Sequence, residues 1–481
     1  MKLNEQFFKG KKIAIVANRP PVTLVQRDGS SVIERGIGGL IAALEPLVER
    51  FNGTWFCTTS KSSSLNKLSD AELPYKVACL ELTEKEYKRH SEGYSNKQLW
   101  PIFHYFPTRC IFDDTDWITY KSINEKMAKL ILENVDEDTF IWIHDYHFLL
   151  LPEMLRYANP NLKIGFFLHI PFPNQEVFRL LANRTELLSG MLGADLVGFH
   201  TKGYVEHFLN CVRALLPEVK FNLRDNSFNV GERKITISNF PISIDFECVL
   251  HKASQEEMIK EVGKLKSAYQ SDLIGISVDR LDYTKGTLER LSAIENFFDL
   301  FPEYIKKVTF IQISVPSRTE IETYQELKKQ VDETVGRING KLSKDAWRPI
   351  FYRYAKLPFH ELIAHYALSD FALVVPLRDG MNLVSKEYIA SKVNNKGVLI
   401  LSEFTGGAEE LTSALLINPY QRGLIAKTIK QAIELPVEEK VERMHKLREI
   451  VKVNDVYNWV NNYFKSFDEA TKANKQVTKV H

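Results

Sequence analysis

The sequence predicts an α/β protein made of two units of similar size, and three observations carry that expectation. Nearly continuous apolar runs recur at 139–144 (TFIWIH), 163–169 (KIGFFLH) and 195–199 (DLVGF), the composition of strands buried on both faces of a parallel sheet. Runs of the same kind return at 272–278 (DLIGISV), 308–314 (VTFIQIS), 371–375 (FALVV) and 397–401 (GVLIL), with helical stretches between them. At about 100–200 residues per domain, a chain of 481 residues has room for more than two domains, but the pattern resumes only once.

In chain order, the first strand is expected at 12–17 (KIAIVA). A helix over 39–51 follows, with Leu40, Ile41, Leu44, Leu47 and Val48 at helical spacing. A Pro-containing extended segment, 238–245 (SNFPISID), precedes a charged helix and marks the boundary. Low-complexity stretches and internal repeats are absent, so a tight hinge is expected there. The units are then 1–242 and 243–454. Residues 455–481 add a helix whose Trp459, Val460, Tyr463 and Phe464 form an apolar face, expected to pack back on the N-terminal unit. The Lys-rich end, 472–481, is expected to fray.

Composition narrows the function classes. Lys and Arg number 63 against 61 Asp and Glu, a net charge of +2, which argues against nucleic acid as the main partner. Five cysteines without a CxxC suggest neither a disulfide framework nor a zinc site. No apolar run reaches the length of a membrane span, and the N-terminal segment lacks a secretory apolar core. A cytoplasmic protein with no membrane partner is expected.

Ligands of parallel α/β sheets sit beyond the carboxyl ends of the strands, and two such sheets facing one another would make an interdomain cleft. Arg19 follows the first strand, and Gly36, Gly38 and Gly39 open the first helix, either as a plain turn or as a place where backbone approaches a ligand. Asp145 follows a buried strand, between His144 and His147, and His169 ends another. Each histidine reads equally as a core residue or a ligand-binding one. Arg280 and Lys285, in RLDYTKG, suit a diphosphate, with Gly286 permitting close backbone approach. In RDGMNLVSKE a helix is expected to start near Asn382, leaving the amides of Asn382, Leu383 and Val384 as orphan donors for phosphate. Asp379 and Glu387, eight positions apart, can divide a sugar hydroxyl and a ribose between them. Gly406 and Gly407 form a second glycine-rich junction, a structural turn or a ligand contact alike. Together these point to a protein that transfers or binds a nucleotide-activated sugar.

At these residues the sequence resembles the trehalose-6-phosphate synthases, retaining glycosyltransferases of the two-domain GT-B type with facing Rossmann-like domains. The resemblance is carried by SNKQLWPIFHY, WIHDYH, FFLHIPFP, RLDYTKG, GRINGK and PLRDGMNLVSKEY, in that order. It implies transfer of glucose from UDP-glucose, or ADP- or GDP-glucose, to glucose 6-phosphate, with no cofactor and no metal. It implies that Asp145 and Trp100 face the acceptor and that Arg19 and Arg318 grip its phosphate. It places Gly39 beneath the donor phosphates, His169 and Asp379 on hydroxyls of the donor glucose, and Arg280 and Lys285 on the diphosphate. Glu387 would bind the ribose, with Leu357 and Leu362 flanking the base.

Two positions depart from the family. Ser91 stands where relatives carry a Tyr nine residues before the Trp of LWP, and Ser243 replaces the Gly of PIGI. The first keeps open a related acceptor, glycerol 3-phosphate, with Tyr87 or Tyr94 as substitutes for the missing ring. A sugar-nucleotide-binding regulator without turnover is the third reading. Homo-oligomerisation is left open. The absence of a phosphatase-type DxDx[TV] segment assigns dephosphorylation of the product to a separate protein.

Overall fold

A computed structural model of the chain describes residues 12–27, 30–35, 39–60 and 73–477. Its contacts divide into two compact units, one comprising Lys2–Ile242 with Tyr457–His481, the other Ser243–Val456.

The first unit is built on β1 (Lys12–Val16), β4 (Thr54–Ser60), β5 (Lys76–Leu82), β6 (Thr139–His144), β7 (Lys163–Phe167), β8 (Leu196–Phe199), β9 (Lys220–Asn222), β10 (Ser227–Val230) and β11 (Arg233–Asn239). Their order is β5-β4-β1-β6-β7-β8-β11-β10-β9, parallel from β5 to β11 and antiparallel in the last two pairings. The central strands read as predicted because they are buried on both faces; every residue of β6 and β8 is buried. A separate hairpin pairs β2 (Val22–Arg27) with β3 (Ser30–Arg35).

The apolar face of the last helix, Val456–Val477, lies on this sheet. Trp142 of β6 stacks on Trp459 and Tyr463 at centroid distances of 5.2 and 4.4 Å, and the Tyr463 hydroxyl donates to the Phe166 carbonyl at 3.1 Å. Residues 472–477, expected to fray, continue this helix, and Asn474 donates to the Lys234 carbonyl and the Asp195 carboxylate. Residues 478–481 lie outside the described residues. Two strand glycines make room for the ring. A Cβ on Gly165 would stand 2.6 Å from the Tyr463 hydroxyl, and one on Gly198 would stand 2.9 Å from its ring. Gly165→Ala is therefore expected to cost about 1–3 kcal/mol, read as a lower denaturant midpoint at constant m-value.

Between β5 and β6, Lys88–Leu99 forms a twelve-residue π-helix, closed by the Trp100 amide donating to the Ser95 carbonyl five residues back. Gly93 lies close under Asp116 in it, where a Cβ would stand 2.3 Å from the carboxylate and oblige that side chain to shift.

The second unit is a six-stranded, wholly parallel sheet of β12 (Leu273–Arg280), β13 (Val308–Val315), β14 (Ile350–Tyr354), β15 (Phe371–Val374), β16 (Val398–Ser402) and β17 (Leu415–Ile417), ordered β14-β13-β12-β15-β16-β17. Two separate apolar clusters share its strands: one contains Ile276, Val374 and Leu401, the other Phe310, Leu373 and Ile400. Residues of alternating parity along a strand point to opposite faces, so the sheet is covered on both sides. Among the described residues, no helix is long and apolar enough to cross a membrane.

Candidate active site

In the parallel part of each sheet the strand order reverses once, between β1 and β6 in the first unit and between β12 and β15 in the second. At such a point the loops leaving neighbouring strands diverge to opposite faces and open a crevice at the carboxyl edge. Arg19 and Asp145 stand at the first of these places, and Arg280, Lys285, Asp379 and Asn382 at the second.

In the second unit, β12 ends at the exposed Arg280 and leads to the turn Tyr283–Lys285. The Asp282 side chain caps that turn by accepting from the Thr284 amide at 3.0 Å. Gly286 then takes φ +64°, and a Cβ there would stand 2.8 Å from the Val375 carbonyl. The close approach it permits is thus to the loop after β15, and the Leu377 amide fastens that loop by donating to the Thr284 carbonyl at 2.8 Å. Lys285, 6% exposed, places Nζ 2.7 Å from Asp379 Oδ2. The same carboxylate accepts from the Gly380 amide at 2.9 Å and from Asn382 Nδ2 at 3.0 Å.

Asn382 is the N-cap of the helix Leu383–Ser391, its Oδ1 accepting from the Ser385 amide at 3.1 Å. The first-turn amides of Leu383 and Val384 have no carbonyl of their own helix to meet and stand at its positive dipole end. Glu387, one turn on, accepts from the Tyr366 hydroxyl at 3.2 Å, and burial pushes its carboxyl up to about 7 against that bond.

Arg318 places NH1 2.6 Å from Asp282 Oδ2, with Tyr324 donating to the same oxygen at 3.0 Å. Burial would raise the Asp282 carboxyl, but Arg318 and Lys285 outweigh it and hold it at about 2. Asp282 thus pairs with Arg318, and Lys285 with Asp379.

In the first unit, Arg19 follows β1, exposed, with its carbonyl accepting from Trp55 Nε1 at 3.1 Å. Neighbouring Asn18 donates to Ser91 Oγ at 3.4 Å, which joins the π-helix to the end of β1. Asp145 leaves β6 at φ 73°, ψ 173°, a conformation that is essentially glycine's alone. Its Oδ1 accepts from the His169 amide at 3.3 Å and its own amide donates to the Phe167 carbonyl at 2.8 Å, so the ends of β6 and β7 are cross-linked. His169 lies two residues past β7, where the strand stops short of the predicted end. Burial, then His144 and His200, hold its imidazole well below the usual histidine range. Trp100 is 3% exposed and packs on His104 and Tyr146, with centroids 4.0 and 5.8 Å away. Asp145, Arg318 and Asn382 all occupy positive φ, as do seven other non-glycine residues among those described.

A family model described as glycosyltransferase family 20 matches residues 11–469. The chain belongs to glycosyltransferase family 20. Curated relatives include the UDP-forming α,α-trehalose-phosphate synthase of Candida albicans, 41% identical over 91% of this chain and 93% of the relative. The 56 kDa subunit of the Saccharomyces cerevisiae enzyme is 38% identical over 94% of this chain and 93% of its own length. Among solved structures, the Escherichia coli protein bound with UDP-2-fluoro glucose superposes at TM-score 0.85 with 31% identity, covering 96% of this chain and 99% of the other. The Burkholderia xenovorans synthase in complex with glucose 6-phosphate gives 0.86 and 30%, covering 95% of this chain and all of the other. The fold is that of these family 20 enzymes, the GT-B arrangement of two parallel-sheet α/β units.

Two alternatives left open by the sequence of this family 20 chain are decided, at the glycine pair and at Tyr94. Gly406 and Gly407 form a structural turn: their amides donate to the Gly380 and Met381 carbonyls at 2.8 and 3.1 Å, which fixes the Asp379 loop. Tyr94 does not stand in for the missing ring at Ser91. It is core, packed on Trp117 and Tyr120 at 5.1 and 4.6 Å. Leu357 is 8% exposed and belongs to the apolar core, with Leu362 packed against it. Gly39 is the first residue of the helix Gly39–Arg50, while Gly36 and Gly38 lie outside the described residues.

Two buried pairs escaped the sequence reading. Arg290 joins Asp279 at 2.7 Å beneath the Lys285 turn, and Lys386 joins Glu410 at 2.5 Å between the Glu387 helix and the glycine turn. A charged residue inside an apolar helix face is the only local signal of such a pair, and its partner is remote in sequence.

Proposed function

We infer that this family 20 chain is an α,α-trehalose-phosphate synthase, transferring glucose from UDP-glucose to glucose 6-phosphate with release of UDP. The observation that carries the donor side is the cluster of Arg280, Lys285, Asp379 and the Leu383–Val384 amides at the strand-order reversal of the second unit. Breaking the bond between the anomeric carbon and the diphosphate oxygen builds negative charge on the leaving group and positive charge on the sugar. Fixed cations and amides stabilise the former without reorganising. In our reading Arg280, Lys285 and the helix amides supply that charge, so no metal ion is required. Asp379 and His169 hold donor hydroxyls, Glu387 meets the ribose, and Gly39 lies under the phosphates. Leu357 and Leu362 border the base. Asp145 and Trp100 orient the acceptor, and Arg19 and Arg318 take its phosphate. The acceptor's anomeric hydroxyl attacks the donor carbon and gives its proton to the departing diphosphate, which balances the reaction as UDP, a proton and the α,α-linked disaccharide phosphate.

The test is a panel of UDP-, ADP- and GDP-glucose against glucose 6-phosphate and glycerol 3-phosphate, following release of nucleoside diphosphate. Release dependent on glucose 6-phosphate is expected. No such release with any donor refutes the reading, and faster turnover on glycerol 3-phosphate reassigns the acceptor.

Glu387 adds a pH dependence. With its carboxyl at about 7, the group is neutral in the folded protein at pH 6 and ionised at pH 8. A carboxylate accepts from both ribose hydroxyls, so the donor KM should fall as pH rises across this interval, and Glu387→Gln should flatten the profile. The same shift acts oppositely on stability. An acid whose folded pKa is raised contributes most below the unfolded value near 4.5 and loses that contribution as pH climbs to about 7.

A further inference from the structure

His144 ends β6, is 0% exposed, and places Nδ1 3.0 Å from Nε2 of His169. Two ring nitrogens at that distance share one proton, which sits on one side or the other. Burial holds the His144 imidazole down at about 3 and that of His169 well below its ordinary value, so both rings are neutral and each carries a single N–H.

The surroundings decide between the two tautomer pairs. His144 Nε2 is buried and has no hydrogen-bond partner among the described residues. If His169 donated through Nε2, the only proton of His144 would sit on that orphaned Nε2, and a buried unpaired N–H costs about 1–3 kcal/mol. If His144 donates through Nδ1, the orphan is a bare ring nitrogen, the better tolerated case. The backbone around His169 leaves little freedom to escape this choice. Its amide donates to Asp145 Oδ1, and its carbonyl, which can only accept, takes the Nε2 proton of His200 at 3.1 Å. Trp459 and Phe167 pack on the ring, at 6.1 and 4.7 Å between centroids.

We propose that His144 is a positioning residue that fixes the tautomer of His169, leaving the His169 proton on Nδ1 so that this ring meets a sugar hydroxyl as a hydrogen-bond donor. The consequence for specificity is direct. An Nδ1–H requires a lone pair from the ligand, and a hydroxyl that meets it keeps its own proton for another acceptor. The inference rests on the reading of His169 as a residue that touches the donor sugar.

The test pairs spectroscopy with kinetics on the whole protein. In ¹⁵N-histidine-labelled enzyme, with His169→Gln used to assign its signals, His169 Nδ1 is expected at the protonated shift and Nε2 at the bare one. His144→Asn presents an amide N–H where Nδ1 stood and should keep both the tautomer and the donor kinetics. His144→Leu removes the donor and should lower donor kcat/KM by about tenfold, with acceptor KM unmoved. A proton on Nε2 of His169 in the wild-type enzyme overturns the proposal, as does equal loss in the Asn and Leu variants. Unchanged donor kinetics in His169→Ala would instead remove His169 from the sugar, an outcome the tautomer measurement distinguishes.

Discussion

Lys285→Ala should lower donor kcat/KM by about 10²-fold while leaving the acceptor KM close to wild type. The expected size is that of a lost charged hydrogen bond, about 1.5–3 kcal/mol. The structure adds a second effect. Lys285 Nζ lies 2.7 Å from Asp379 Oδ2, and both side chains are largely buried, so the variant strands a carboxylate. Breaking such a pair from one side costs about 3–5 kcal/mol of stability, partly offset here by the Gly380 amide and Asn382 side chain that also bind Asp379. The double variant Lys285→Ala/Asp379→Asn separates the two roles. It should recover most of the denaturant midpoint and none of the donor kinetics. Wild-type donor kinetics in Lys285→Ala would reject the diphosphate role.

Asp145 offers a test in which the usual order of two substitutions inverts. Glycine ordinarily destabilises relative to alanine, because it loses more backbone freedom on folding. At φ 73°, ψ 173°, alanine keeps the strain and glycine relieves about 1–3 kcal/mol of it. Both lose the bond from the His169 amide. Asp145→Gly should therefore be more stable than Asp145→Ala by about 1–2 kcal/mol, while both lose activity by on the order of 10²-fold or more. The measurements are paired unfolding curves and turnover at saturating donor. An alanine variant as stable as the glycine one would mean that the backbone at Asp145 is not strained, and active variants would remove Asp145 from the acceptor.

Much of this was legible in the chain because burial on both faces leaves a continuous apolar signature. β6, β8, β13, β15 and β16 lie where TFIWIH, DLVGF, VTFIQIS, FALVV and GVLIL stand. Of the strands that passed unnoticed, β4 is buried, but Thr58, Thr59 and Ser60 break its apolar run, whereas others have a sequence set by an exposed side. β5 is an edge strand of mostly half-buried residues, β9 is half exposed, and β10 carries exposed Asn229 and Val230. The π-helix gave no signal either, since its five-residue register matches neither the helical nor the strand period. For the site, residues at strand ends were visible because chemistry-bearing side chains follow apolar runs. What fastens them was not: Arg290 to Asp279, Lys386 to Glu410 and the carbonyls that hold Gly406 and Gly407 are set by tertiary placement alone.

The helix Val456–Val477 makes the first unit discontinuous in sequence, with the whole of Ser243–Val456 translated between its two parts. At about 5–20 residues per second, tens of seconds separate the exit of β7 and β8 from that of Tyr463, whose ring fills the space left by Gly165 and Gly198. During synthesis the first unit must wait with its Trp142 face open, while the second unit has every strand it needs to fold ahead of it. The core of the first unit is therefore completed only once the second unit has been synthesised.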